Sequence, residues 1–380
     1  MELCRVCKSP AGEPTYHGEA PAVTSLTTLL NVPTLVFVCK ACGHCQSADL
    51  PNVREFYNTE YRISLQSEDY DQLYDIVDEK PVYRTDFQAG LMERFASIPK
   101  SGAVLDYGAG KAHSLHKLKA NNPDIDAHVF DVSQDYAPHW NWIAKDNQAT
   151  YELPSEWKEK FDFVSAHFVL EHVPDPVAIF CDIAAVLAPK GQFFFTVPDV
   201  IGNPGDLIVV DHLNHFTESS LAAALAAAGL EIVSLDRTAF RGAFVLVARK
   251  SEDLAAARKG NLQDDVSAAV GLSNYWQLVE KTLQVAAQRF SGRPSAIYGA
   301  GVYGTFVTAK IGKSIDLQCF VDRNPHLAGG DLLGRKILPP DQLPTSVEVL
   351  YSGLNPRIAR SVLPSLPVLK GRSVELVYLD

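Results

Sequence analysis

No apolar run in the 380 residues approaches the length that spans a bilayer, so no membrane-spanning helix is expected. Basic residues are the minority, 34 Lys and Arg against 45 Asp and Glu, giving a net charge of −11. Neutralising a phosphate backbone needs a basic face, so no nucleic-acid partner is expected, although a small anion could still bind a locally basic pocket. Internal repeats and low-complexity tracts are also missing. The opening Met-Glu-Leu-Cys has no basic stretch followed by an apolar one, so the expectation is a cytoplasmic protein without a secretory signal. What remains, 47% apolar and 21% charged, describes a soluble globular chain long enough for two or three domains.

Cysteine is scarce but concentrated: five of the seven lie within the first 45 residues, at 4, 7, 39, 42 and 45. Cys4-x-x-Cys7 and Cys39-x-x-Cys42 form two knuckles, each able to present two thiolates from one turn and together to close a tetrahedron around zinc. Four sulfur ligands leave no position for water, so the expected zinc is structural. Cys45 is a spare that could replace Cys42. A unit this small buries little surface, and ligation contributing roughly 10–16 kcal/mol would supply what its core lacks.

Three blocks and a connector follow from the pattern. Residues 1–75 hold the knuckles and the strand Thr34–Val38. Residues 76–250 alternate strands and helices as βαβ units, with strands at Ala103–Asp106, His128–Asp131, Phe161–Ala166 and Gly191–Val197. A helix built on Leu221–Ala228 closes at Gly229, and two β-rich runs end the block. In 251–290, Leu272, Trp276, Val279, Leu283, Ala286 and Phe290 recur at helical spacing and mark a connecting helix. Residues 291–380 form a smaller α/β unit opening on Gly299-x-Gly301-x-x-Gly304. The expected fold class is α/β: a doubly wound sheet flanked by a zinc-ribbon-like head and a small Rossmann-like tail.

The chemistry concentrates in Asp106-Tyr107-Gly108-Ala109-Gly110, a glycine turn between strand and helix where backbone can approach a ligand. Asp131, ending the next strand, is placed to accept both hydroxyls of a ribose. A carboxylate before the glycines suits an amino-acid-bearing ligand better than a pyrophosphate. An amino acid group, a ribose and no phosphate together suggest S-adenosylmethionine. Read blandly, Asp131 is a solvated strand-end carboxylate.

Asp106-x-Gly108-x-Gly110, Asp131, His167-Phe-Val-Leu-Glu171-His172-Val-x-Asp175-Pro176 and Gly191 through Pro198 resemble the successive motifs of class I S-adenosylmethionine-dependent methyltransferases. The resemblance implies that Tyr107–Gly110 and Asp131 line the cofactor, with residues near His167 closing over the sulfonium. Glu171 and His172 are expected to be helix-start structure. The order of parts, cysteine head, methyltransferase middle and Rossmann-like tail, resembles the sugar C-methyltransferases, which methylate a carbon of nucleotide-linked keto-deoxysugars. That resemblance implies a catalytic histidine within Asp211-His212-Leu-Asn-His215-Phe-Thr217, with His212 first and His215 second. Asp211 would raise the imidazole's basicity or fix its tautomer. It also implies sugar contacts from Tyr57 and Tyr61.

Removing a proton beside a ketone creates the carbon nucleophile, and a neutral imidazole is a suitable base for it. The same stretch, with Thr217-x-x-Ser220, is also a plain helix cap. The tail's glycines with Asp322 spell a dinucleotide motif, yet the block is too short for two full halves, so a wall of the substrate cleft holding the nucleotide portion is expected. Two other readings stay open. One is an O- or N-methyltransferase on a small polar acceptor; the other is a zinc-containing scaffold with an inactive methyltransferase fold.

Overall fold

The computed structural model describes residues 2–50, 71–77, 80–253 and 259–380. Its centre is a seven-stranded sheet, β1 (Gly102–Tyr107), β2 (Ile125–Asp131), β3 (Gln148–Thr150), β4 (Phe161–His167), β5 (Leu187–Pro198), β6 (Leu230–Phe240) and β7 (Ala243–Lys250). The strands lie in the order β3-β2-β1-β4-β5-β7-β6. The first five are parallel, and β7 enters antiparallel between β5 and β6. Parallel strands are covered on both faces, and β5 shows how the sequence meets this. Phe193 and Phe195 pack with Phe180 and Leu221 on one side, while Phe194 packs with Met92 and Leu115 on the other. Burying each such ring contributes roughly 1.5–3 kcal/mol.

Helices α1 (Arg84–Phe95) and α2 (His113–Asn121) cover the second face; α3 (Pro176–Val186) and α4 (Glu218–Ala227) cover the first. The Thr217–Ser220 cap forms as its spacing predicts: Ser220 N donates to Thr217 Oγ1 at 3.2 Å and Thr217 N to Ser220 Oγ at 2.9 Å. Gly229 follows α4 at φ +74°, where a left-handed residue ends the helix.

The head is not self-contained. Its antiparallel sheet runs Tyr16–Gly18, Thr34–Val38, Cys45–Ser47 and then Asn214–His215, so a two-residue strand from between β5 and α4 completes it. The cysteines share a core with Phe216, Leu221 and Leu225 rather than one of their own.

Helix α5 (Leu262–Arg289) is the expected connector, capped by Asn261. Its fully buried stripe is Ala269, Ser273, Trp276, Val279, Leu283 and Ala287, whereas Leu272 and Ala286 are only partly buried. It joins head strands and tail in one core containing Val36, Trp276, Phe306 and Tyr351. The tail is a six-stranded sheet whose strand Pro294–Tyr298 leads through the glycine turn into α6 (Val302–Ile311). Gly299, at φ +110°, lies so near Gly353 that a Cβ would meet its carbonyl oxygen at 2.2 Å.

Candidate functional site

Two centres emerge, one of sulfur and one of carboxylates and imidazoles. The ligand atoms of Cys4, Cys7, Cys39 and Cys42 all lie within 4.8 Å of one another, with Cys4–Cys42 and Cys7–Cys39 sulfurs 3.5 Å apart. A tetrahedron with metal–sulfur bonds of about 2.3 Å has edges of about 3.8 Å, so the donor set fits zinc. Without a cation the crowded thiols cannot all ionise. The hydrogen bond from Cys42 lowers Cys4 to about 5, while Cys42 is pushed far up by its hydrogen bond to Cys4 and by burial. Cys45 does not join them: its sulfur is directed at the Gly43 carbonyl, 3.9 Å away.

At the carboxyl end of β1, Gly108 and Gly110 both have positive φ. A side chain on Gly108 would strike Val169 at 2.4 Å, whereas Gly110 faces open space with no atom within 4 Å of a Cβ. Asp131 closes this cradle: Gly110 N donates to its Oδ2 at 2.9 Å and Ser133 N to its Oδ1 at 3.1 Å. Asp106 is buried and receives the Ser165 hydroxyl at 2.9 Å; burial lifts its carboxyl to about 7. These residues fit an S-adenosyl ligand, with Asp131 for the ribose and Asp106 near the amino-acid end.

Tyr107 contributes backbone only, because its ring packs against Phe130, centroids 4.7 Å apart, within the core. His167 ends β4, its Nδ1 3.3 Å from Thr196 Oγ1, and its Nε2 has no hydrogen-bond partner among the described residues. Burial lowers this imidazole to about 3, so it is neutral. Tyr57 and Tyr61 lie outside the described residues.

The predicted base region, between β5 and α4, is where sequence reading needs correction. The carboxylate that holds His212 is Asp206, not Asp211: His212 Nδ1 and Asp206 Oδ1 are 2.6 Å apart. Asp211 is instead drawn to the head, accepting Ser25 N at 2.7 Å and Ser25 Oγ at 2.6 Å. It nevertheless raises His212 as a nearby charge, one of the two roles expected of it. Asp206 also holds His215, whose Nδ1 is 2.8 Å from Oδ2. The other ring nitrogen of His215 is 2.9 Å from Ser47 Oγ, and the side chain is fully buried, so both of its nitrogens are engaged within the protein.

Burial alone would lower His212, but Asp206 outweighs it and lifts the ring to about 9. Burial would likewise raise Asp206; the two imidazoles hold it well below the usual carboxylate range. His172, its ring 4.8 Å from that of His212, is lowered to about 4 by burial. Glu171 lies alongside, buried at 1% exposure and raised by burial to about 7.

The segment is held from several directions. Asn214 donates to the carbonyls of Leu170 and Val173 and its N–H reaches Glu171 O at 3.0 Å, so one amide pins the Glu171–His172 loop beside His212. Trp276 donates to Pro204 O at 2.8 Å, and Gly205 N to the Tyr303 hydroxyl at 3.0 Å. Asp206 and Asn214 were not singled out by sequence. A carboxylate six residues before a predicted base, at a proline-glycine turn, was the available signal.

In the tail, Ala300 N donates to Asp322 Oδ2 and Asn324 N to Asp322 Oδ1, each at 2.8 Å. This repeats the clamp around Asp131.

Residues 83–235 match the family model described as a methyltransferase domain. With the strand order and the glycine cradle, this makes the middle of the chain a class I S-adenosylmethionine-dependent methyltransferase domain. The ubiquinone biosynthesis O-methyltransferase of Coxiella burnetii (strain Dugway 5J108-111) is 28% identical over 102 residues, 26% of this chain and 44% of that protein. The protein of the same description from Actinobacillus pleuropneumoniae serotype 7 is 33% identical over 103 residues, 24% of this chain and 44% of its own. The chain thus spans less than half the length of the curated relatives it matches. A solved S-adenosylmethionine-dependent methyltransferase from Mesorhizobium loti is 17% identical with a TM-score of 0.33, covering 42% of this chain and 95% of that one. No helix among the described residues is long and apolar enough to cross a membrane.

Proposed function

We propose that the protein transfers a methyl group from S-adenosylmethionine to the carbon beside the ketone of a nucleotide-linked keto-deoxysugar. The observation that carries this reading is the Asp206–His212 pair, 2.6 Å apart, on the segment between β5 and α4. A carbon acid needs a base, and this imidazole is held in one orientation and one tautomer. With Nδ1–H donated to a buried carboxylate, Nε2 is the atom left to take the α-proton. Asp131, Asp106 and the open face of Gly110 hold the cofactor, which when bound supplies an electrophilic methyl group. Aligning that group with the acceptor carbon provides much of the remaining acceleration.

The tail's clamp on Asp322 supports a role in holding the nucleoside part of the acceptor. The four-cysteine centre holds a structural zinc and ties the head to the base-bearing segment. A second reading, methylation of oxygen or nitrogen, draws on the O-methyltransferase descriptions of the curated relatives.

Turnover of labelled S-adenosylmethionine against nucleotide-linked 4-keto and non-keto sugars separates the two. Carbon methylation places the labelled methyl on carbon with loss of the sugar's α-proton, and both are lost in His212→Ala. Turnover that places the methyl on oxygen or nitrogen supports the second reading, and no turnover with any keto sugar overturns the first.

A further inference from the structure

The sequence suggests helix-start structure for Glu171, but its surroundings do not fit that role. The side chain is 1% exposed, and its Oε2 is buried without a hydrogen-bond partner among the described residues. Leaving such an oxygen unmet is costly, more so when it is charged, so a partner absent from the protein's own atoms is expected to meet it. A Glu171 oxygen and ring nitrogens of His172 and His212 all lie within 4.8 Å of one another, a span that one water bridges. The Asn214 amide holds the Glu171 loop in this place.

We infer that Glu171 is the proton partner of His212, taking the proton from Nε2 so that the imidazole is neutral when the acceptor carbon is presented to it. This rests on the base role proposed for His212. A difficulty in that role calls for such a partner. Asp206 holds the ring protonated to about 9, and a protonated imidazole at pH 7 takes no proton. Glu171, raised by burial to about 7, is the buried group near enough to hold that proton in exchange.

The balance is simple. His212 Nε2–H⁺ and the Glu171 carboxylate become neutral imidazole and carboxylic acid, with no net change in protons. The α C–H bond then breaks, its proton passing to Nε2 and its electron pair into an enolate, whose carbon would take the methyl group as the donor's sulfur–methyl bond breaks and leaves its pair on sulfur. The pair ends with two protons and releases one to solvent. Expelling water as the acceptor binds favours the neutral pair over the ion pair, because charges are expensive in a dry site. The other charged or titratable groups facing the two residues are Arg84 from α1, His172 on the same loop, and Asp206, Asp211 and His215 from the base-bearing segment. Glu171 acts through His212 and is a positioning residue.

The test is the pH dependence of kcat/KM for the full-length wild type and Glu171→Gln with the same keto sugar. The wild-type pair works with one proton, because an ionised Glu171 beside the developing enolate is costly in a dry site, so activity falls below about 7 and again above about 9. The glutamine cannot take the proton, so only enzyme with His212 already neutral reacts. The variant is therefore expected to fall below wild type at pH 7 and regain about tenfold per pH unit until His212 is neutral, and losing the Glu171 charge that helps raise His212 brings that plateau below pH 9. A variant that follows the wild-type profile overturns the inference, as does a uniform loss at every pH. So does a second divalent cation per chain, beyond that of the cysteine centre, that Glu171→Gln removes. If the variant does not fold, carbon-13 titration of the Glu171 carboxyl in wild type decides: a midpoint near 7 supports the inference and one near 4 refutes it. Absence of wild-type activity on any keto sugar would instead count against the reading of His212.

Discussion

Replacing Asp206 with asparagine keeps the shape of the carboxylate and removes its charge from between two imidazoles. In the wild type Asp206 outweighs burial and carries His212 from 6.5 to about 9. That lift corresponds to about 3 kcal/mol of preference for the charged ring. In Asp206→Asn burial is opposed only by the charges of Asp211 and Glu171, so His212 should titrate well below 9, and nothing enforces the tautomer with Nε2 free. Activity should fall about 10²–10⁴-fold, the usual contribution of an acid–base group. Stability carries a separate signature. The raised pKa of His212 contributes stability that is complete below 6.5 and is lost as pH rises through about 9. The depressed pKa of Asp206 keeps its share above the ordinary carboxylate range and loses it only in stronger acid. Denaturant melts should therefore show Asp206→Asn clearly weaker at pH 6, with the gap narrowing by pH 10. Nitrogen-15 NMR of the imidazoles should show the ionisation near 9 disappear. An unchanged titration, or the same loss of stability at pH 6 and pH 10, would refute the pairing.

The remaining predictions concern the cofactor and the metal. Asp131→Ala should weaken binding of S-adenosylhomocysteine about 100-fold in calorimetry, since charge-assisted hydrogen bonds contribute about 1.5–3 kcal/mol each. Gly110→Val adds a strained left-handed residue, at a cost of about 1–2 kcal/mol, and fills only the open side of the cradle; cofactor affinity should be lost while the protein still melts cooperatively. Cys4→Ser should reduce zinc from one per chain toward none and lower the melting temperature. Because the cysteines pack on Phe216 and Leu221, kcat should fall as well, with cofactor affinity changing less.

The central sheet was legible because its strands are continuous apolar runs broken by glycine turns, and Thr217-x-x-Ser220 announces its own helix. The cysteine centre was equally plain, since its spacing dictates its geometry. What escaped sequence reading is decided by contacts between distant parts. Asp211 is the carboxylate adjacent to His212 in the chain, yet the head draws it to Ser25, and Asp206 takes its place because the turn at Pro204 is docked on Trp276 and Tyr303. His215 was the second candidate by sequence, and nothing in one dimension showed that Ser47, 168 residues away, meets its other ring nitrogen. Glu171 read as scaffold because an unmet oxygen has no signature in one dimension.

The two-residue strand Asn214–His215 is the outermost strand of a sheet otherwise made by the first fifty residues. A shortened chain beginning near residue 80 would keep every residue of the glycine cradle. It would nevertheless strip the edge on which the His212-bearing segment is registered, exposing His215 and leaving Asp211 without Ser25. On the roles proposed for the cradle and for His212, donor recognition and chemistry would be separable by a single cut, and a trimmed chain of this design would bind its donor while idling.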